Sequence, residues 1–266
     1  FIARIHDELA QPGTCGVGYN SLQFDDEVTR FALWRNFYDP YAREYSRGNS
    51  RWDLIDVVRC FYALRPDSLN WPTRPDGVPS FKLEDLTAAN GLEHGAAHDA
   101  MSDVTATLAL ARALRSADRV LFDELLLMRF KARVEALVDT NAMTPLVYVS
   151  GLMGTERACL GVIVPLVVHP EYKSDIICAD LSREPNFLAM TPEEIRARLF
   201  AKGGELASPS DRPGLMTIKI NKAPVLLPMQ HISPDIAARL GLIGDSLRRN
   251  LTTLKQARED RGSEFI

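Results

Sequence analysis

No two cysteines in this sequence stand close enough to clamp a metal ion or staple a small fold. Cys15, Cys60, Cys159 and Cys178 lie far apart and form no C-x-x-C pair. That excludes a zinc ribbon and a disulfide framework and leaves reduced, mostly buried thiols. No apolar run approaches the length needed to cross a bilayer, and no signal peptide opens the chain. The expectation is a soluble, cytoplasmic protein. A basic excess is missing too, because 31 lysines and arginines face 35 acids for a net charge of −4. The balance gives no footprint for nucleic acid, although cations gathered along one groove would still grip phosphates. There is no glycine-rich phosphate loop and no serine or cysteine in a nucleophile's setting. Histidine is scarce as well. His94-x₃-His98 has zinc-like spacing, but no Glu follows His94 and Gly95 opposes a continuous helix. The His98-Asp99 pair, as used by metal phosphohydrolases, finds no partner set among His6, His94, His169 and His231.

What is present is an ordinary globular composition, 46% hydrophobic and 25% charged, over a length that suits two domains. The first 140 residues read as mainly helical. A short β-prone run at Val17-Gly18-Tyr19-Asn20 leads through Phe24-Asp25-Asp26-Glu27 into a helix ended by Asp39-Pro40. Trp52 to Leu64 reads as an amphipathic helix with Leu54, Ile55, Val58, Phe61 and Tyr62 inward. A proline-rich loop follows, and then a short helix from Phe81 to Ala89 stopped by Asn90-Gly91. Asp99 to Leu114 is the clearest helix, with Met101, Val104, Leu108 and Ala111 at helical spacing. Another runs from about Leu121 to Val138. The texture changes at Thr144-Pro145. Leu146 to Val149, Gly161 to Val168, Asp175 to Leu181 and Met216 to Ile220 are short β-branched runs. Thr191-Pro192-Glu193-Glu194 and Ser233-Pro234-Asp235 are helix starts. The expected division is 1–142, 143–260 and a tail, 261–266. The tail's Gly-Ser-Glu-Phe is what two adjacent cloning sites encode, an odd natural terminus being the other reading.

Two clusters could carry chemistry. In His98-Asp99-Ala100-Met101-Ser102-Asp103, a histidine opens the best helix and a carboxylate follows five residues later. Hydrolysis of a phosphodiester with divalent ions needs acidic oxygen ligands and a base, and Asp103 and His98 can supply them. The plain alternative is a solvated helix start whose acids favour the positive dipole end. In Asn20-Ser21-Leu22-Gln23-Phe24-Asp25 an aspartate follows an apolar anchor at a strand-to-helix passage, and helix capping explains it equally well.

Taken together, Asn-x₃-Phe-Asp and a downstream His-x₄-Asp match the second and third motifs of DEDD-type exonucleases in their histidine-containing branch. The chain resembles the bacterial exodeoxyribonuclease I family in particular. The likeness runs through Gly18 to Arg30, Asn36 to Tyr41, Asn49 to Asp53, Ala63 to Pro66, Pro79 to Glu84 and His98 to Val104. It continues through Pro145-Leu146-Val147, Val149-Ser150-Gly151 and Ile220 to Leu226.

The resemblance implies an α/β architecture, with an RNase H-like exonuclease domain lacking its first strands and then a small SH3-like β domain with added helices. It implies a 3′→5′ exonuclease that degrades single-stranded DNA to 5′-mononucleotides in DNA repair and recombination. Two Mg²⁺ ions, with Mn²⁺ as a substitute, would assist phosphodiester hydrolysis. Asp25 and Asp103 take the places of metal-site carboxylates and His98 that of the general base. Arg30, Tyr41, Tyr45, Arg59 and Lys82 fall where the family contacts the single strand, by cations on phosphates and aromatic faces on bases. Arg65 and Arg239 are candidates for docking the acidic C-terminal tail of single-strand-binding protein, and the molecule is expected to be a monomer. The family's first motif, Asp-x-Glu, is expected upstream of Phe1, which predicts weak metal binding and impaired cleavage by this chain. A catalytically inactive single-stranded DNA-binding or protein-docking module is the alternative.

Overall fold

The structure is a computed structural model that describes residues 1–92, 100–202, 205–206, 208 and 211–262. Contacts divide the chain into two units. One comprises Phe1–Val134, Val149–Leu160 and Asn221–Val225, and the other Glu135–Tyr148, Gly161–Ile220 and Leu226–Ile266. Among the described residues no helix is long and apolar enough to cross a membrane. The four cysteines are unpaired, and Cys60, Cys159 and Cys178 are buried.

In the first unit, α1 (Ile2–Leu9) precedes β1 (Cys15–Gly18), which lies parallel to β2 (Ser50–Asp53), with Gly18 opposite Asp53. Parallel partners need a crossover, and this one carries α2 (Asp25–Arg35) and the single turn α3 (Ala42–Tyr45). The helix expected from Trp52 instead begins as α4 at Leu54 and runs to Leu64. Asp53 explains the difference. It has extended backbone angles and its carboxylate accepts the Ile55 N–H, an N-cap that ends the strand and starts the helix. Leu54, Val57, Val58, Phe61 and Leu64 are buried on α4, each contributing on the order of 1.5–3 kcal/mol of apolar burial. Ile55 and Tyr62, expected inward, are only partly covered.

Then come α5 (Leu83–Ala89), α6 (Ala100–Ala117), α7 (Arg119–Leu127) and α8 (Lys131–Leu137). On α6 the inward stripe is Ala106, Thr107, Leu110 and Leu114, whereas Met101, Val104 and Leu108 are exposed. Periodicity located this helix but pointed to the wrong face, because two apolar stripes run along it. The single helix expected over 121–138 is two. Arg129 folds back to donate to the Leu126 carbonyl at 2.6 Å and its guanidinium covers the Phe130 ring. The side chain takes an acceptor that a continuing helix would use.

The second unit holds a five-stranded sheet in the order β6-β5-β4-β3-β7. Its strands are β3 (Leu146–Val149), β4 (Leu160–Val168), β5 (Asp175–Asp180), β6 (Leu215–Lys219) and β7 (Val225–Pro228), with β4, β5 and β6 successively antiparallel. The first four agree with the β-branched runs. β7 has no such run and escapes a reading by pattern. Between Pro165 and Val167 the β4–β5 register shifts by one residue, a bulge beside a proline that cannot donate to the ladder. The Leu166 carbonyl at that bulge accepts from the Arg258 guanidinium on α11 (Gly244–Arg261). Met143, Val162, Val164, Ala179, Leu181, Phe187 and Leu254 form the core. Helix α9 (Pro192–Leu199) starts with a complete Thr191/Glu194 capping box, and Ser233 caps α10 (Pro234–Arg239) through the Ile236 N–H.

Candidate active site

A cleft of about 1070 Å³ lies in the first unit. The end of β1, the turn Tyr19–Ser21, the start of α2, one side of α4, the segment from Pro79 to Glu84 and the first half of α6 line it. The turn is built by close approach. A Cβ on Gly18 would lie 2.5 Å from the Ser21 Cβ and Oγ, so only glycine fits, and Asn20 takes the left-handed conformation at φ 56°. Asp53 then fastens the turn. Its Oδ1 accepts the Asn20 N–H at 2.7 Å and its Oδ2 the Leu22 N–H at 3.1 Å, in addition to capping α4. Tyr19 donates its phenol to the Phe81 carbonyl at 2.5 Å, and burial pushes that phenol's pKa up.

Asp25 opens α2 and Asp103 sits in the first turn of α6. Both are exposed and both line the cleft. They are hard oxygen donors of the kind a small divalent cation takes. Among the described residues no group of three His, Cys, Asp or Glu could hold a metal ion. The two acids thus fit such an ion as contributors to a shell, not as a closed site. His98 lies outside the described residues.

Asp26 turns inward beside Asp25. It receives Arg43 at 2.9 Å and Arg51 at 2.5 Å. Burial opposes its ionisation, but the hydrogen bond from Arg43 and the two guanidinium charges outweigh that and hold its carboxyl below the usual range. Arg51 also donates to the Asn221 carbonyl. Arg30 belongs to the same ion network. It is held by Glu44 at 2.7 and 3.0 Å and by Glu27, and sits 5.1 Å over the Tyr41 ring.

The residues expected to contact the strand fall in different places. Arg59 and Lys82 line the cleft; Arg30, Tyr41 and Tyr45 do not. Tyr41 and Tyr45 are exposed, whereas only 12% of the Arg30 side chain is accessible. Lys82 precedes α5 and stands 3.6 Å from Glu84. Arg65 pairs with Asp118 at 2.8 Å, and Arg239 is exposed on α10 in the other unit. Arg74 also lines the cleft and was missed by sequence reasoning. Its signal is the Pro75-Asp76-Gly77 turn, in which Arg74 exchanges backbone hydrogen bonds with Val78 and Gly77 (φ 78°). Val104 and Leu108, the exposed stripe of α6, supply an apolar wall to the cleft.

Known proteins resemble this chain along most of its length. The family model for the exonuclease I SH3-like domain matches residues 129–264, and that for an exonuclease matches residues 2–111. The exodeoxyribonuclease I of Haemophilus influenzae is 45% identical over 258 residues, which are 96% of this chain and 54% of that protein. The crystal structure of Escherichia coli exonuclease I in complex with a dA16 oligonucleotide superposes with a TM-score of 0.92 at 43% identity, over all of this chain and 57% of that one. An ExoI/SSB-Ct complex superposes with a TM-score of 0.90 at 42% identity, over all of this chain and 57% of that one. The chain spans about half the length of the curated relatives it matches. An RNase H-like exonuclease domain followed by an SH3-like domain is thus its fold, and the chain belongs to the exodeoxyribonuclease I family.

Proposed function

We propose that the chain carries the core of a cytoplasmic 3′→5′ exonuclease that degrades single-stranded DNA to 5′-mononucleotides in DNA repair and recombination. The observation that carries this reading is one cleft lined by three carboxylates, Asp25, Glu84 and Asp103, and three cations, Arg59, Arg74 and Lys82. An exonuclease needs both, acids for metal ions and cations for the phosphates of the strand. The relative bound to dA16 supports the substrate class.

Asp25 and Asp103 would contribute ligands to two divalent ions, Mg²⁺ or in its place Mn²⁺. When bound, such ions stabilise charge on phosphate oxygens and make water a better nucleophile. His98 takes the role of general base on the strength of its place five residues before Asp103. Arg59, Arg74 and Lys82 would neutralise the phosphates. The apolar wall of Val104 and Leu108 would keep unpaired bases out of water. Arg30 acts through the ion network that orients the start of α2, while Tyr41 and Tyr45 offer exposed faces for stacking. Arg65 and Arg239 would meet the acidic C-terminal tail of single-strand-binding protein, a reading supported by the ExoI/SSB-Ct complex. The family's first motif, Asp-x-Glu, would add the further carboxylates that Asp25 and Asp103 need to close a metal-ion shell.

The test is Mg²⁺-dependent shortening of a 5′-labelled single-stranded oligonucleotide. It compares the chain alone with the chain joined at its N-terminus to a segment carrying the first motif, each with an Asp103→Asn control. Shortening from the 3′ end by the joined protein, lost in the control, is the expected result. Binding of the strand without shortening would replace the exonuclease with a binding module.

A further inference from the structure

Arg59 is held in the cleft wall from two sides. Its Nη1 donates to the Asp56 carboxylate at 2.6 Å, one turn earlier on α4. That is the one hydrogen bond its guanidinium makes among the described residues, and its Nε is buried without a partner. The second side is Gly151, in the segment 149–160 that belongs to the same unit. A Cβ built on Gly151 would stand 3.1 Å from Cζ, Nη1 and Nη2 of Arg59 alike. Equal distances to three atoms of a planar group mean that the glycine faces the plane of the guanidinium, not its edge. Phe81 lies beyond, with its ring centre 5.7 Å from the Arg59 Cζ.

We propose that Asp56 and Gly151 are positioning residues for strand binding: the carboxylate fixes one edge of the Arg59 guanidinium, the bare glycine fixes its face, and the remaining N–H groups are presented to a phosphodiester oxygen. This rests on the reading of the cleft as a single-strand groove. Most surface ion pairs one helical turn apart orient little, because both side chains keep their freedom. Here the flat contact on Gly151 removes that freedom, and a planar fork is the group that gains from being fixed. The backbone at 151 suits any residue, so what a Cβ would meet there is the guanidinium. An alanine there meets only the far end of a flexible side chain. The fold should survive while the guanidinium gives by a few tenths of an ångström, which makes Gly151→Ala a selective probe.

The experiment is binding of a fluorescein-labelled dT12 oligonucleotide to the chain in EDTA, read by anisotropy across a series of salt concentrations. Melting curves check that each variant is folded. Arg59→Ala should weaken binding and reduce the slope of log affinity against log salt by roughly 0.7, the share of one phosphate on a single strand. Gly151→Ala and Asp56→Asn should each weaken binding about three- to tenfold, the scale of one charge-assisted hydrogen bond, and lower the slope in the same direction. Combined with Arg59→Ala, neither should add a further loss. Full affinity and slope in both variants, with Arg59→Ala defective, would overturn the positioning role alone. Losses that add to that of Arg59→Ala would overturn it as well. Salt-independent binding by the unsubstituted chain, or no effect of Arg59→Ala, would overturn the groove reading and the positioning role with it.

Discussion

Replacing Asp53 separates two jobs that one carboxylate does. It caps α4 through Ile55 and pins the turn at Asn20 and Leu22, with acceptor distances of 3.0, 2.7 and 3.1 Å. Removing an aspartate N-cap costs about 1 kcal/mol. The Leu22 amide is partly buried, and leaving it unpaired adds roughly 1–2 kcal/mol, while water re-solvates the exposed Asn20 amide at little cost. Asp53→Ala should therefore lower the stability of the first unit by about 2–3 kcal/mol. Asp53→Asn is the informative partner. Asparagine caps a helix as well as aspartate does, but its amide NH₂ cannot accept the second N–H of the turn. It should retain the cap and lose about 1–2 kcal/mol. Trp34, Trp52 and Trp71, the three tryptophans of the chain, all lie in the first unit. Urea unfolding followed by tryptophan fluorescence therefore reports that unit selectively, and hydrogen exchange at Asn20 and Leu22 reports the turn. If Asp53→Asn unfolds at the same urea midpoint as the unsubstituted chain and the two amides exchange no faster, the pinning role is wrong and Asp53 is only a cap.

Asp26 gives a pH signature. Its folded carboxyl is held below the usual range, so its contribution is present above the unfolded value near 3.9 and is lost as pH falls through the folded one. Asp26→Asn should cost roughly 1.5–3 kcal/mol at pH 7, because Arg43 and Arg51 lose one charged acceptor and keep only Glu44. That difference should shrink in acid, and equal differences at pH 7 and pH 3 would contradict the assignment. Gly18→Ala should destabilise by roughly 1–3 kcal/mol through overpacking against Ser21, and Ser21→Gly in the same chain should recover most of the loss. Additive effects of the two substitutions would rule out that contact. In the second unit, Asn250 is buried and donates to the Leu181 and Arg183 carbonyls at 2.9 and 3.0 Å. Asn250→Ala should cost about 1–3 kcal/mol by calorimetry, and an unchanged transition would mean that water replaces it.

The parts of this molecule that could be read in advance are those whose cause lies within a few residues. Thr191 and Glu194 cap each other across three positions, Ser233 caps its own first turn, and Leu146–Val149 is a strand by its own β-branched chemistry. The candidate acids at Asp25 and Asp103 were legible as motifs, since each depends on its place at the start of a helix. What escaped was set by partners far along the chain. Arg30 has the chemistry of a phosphate contact, but Glu44, fourteen residues on, commits it to an ion network. The outer stripe of α6 looked like core because periodicity does not say which of two apolar faces meets a neighbour. Asp53 reads as part of a helix until the turn it pins, more than thirty residues earlier, is brought beside it.

The discontinuity of the first unit bears on how the chain is made. Residues 1–134 leave the ribosome well before Asn221–Val225, which complete the same unit. At translation rates of 5–20 residues per second, the interval is roughly 5 to 20 seconds. Throughout it Arg51 lacks the Asn221 carbonyl, and for the earlier part Arg59 lacks Gly151. The surroundings of Arg59 in the cleft are thus completed only when Gly151 arrives. The nascent first unit waits, with its acids already placed, for two short pieces of chain whose neighbours in sequence fold elsewhere.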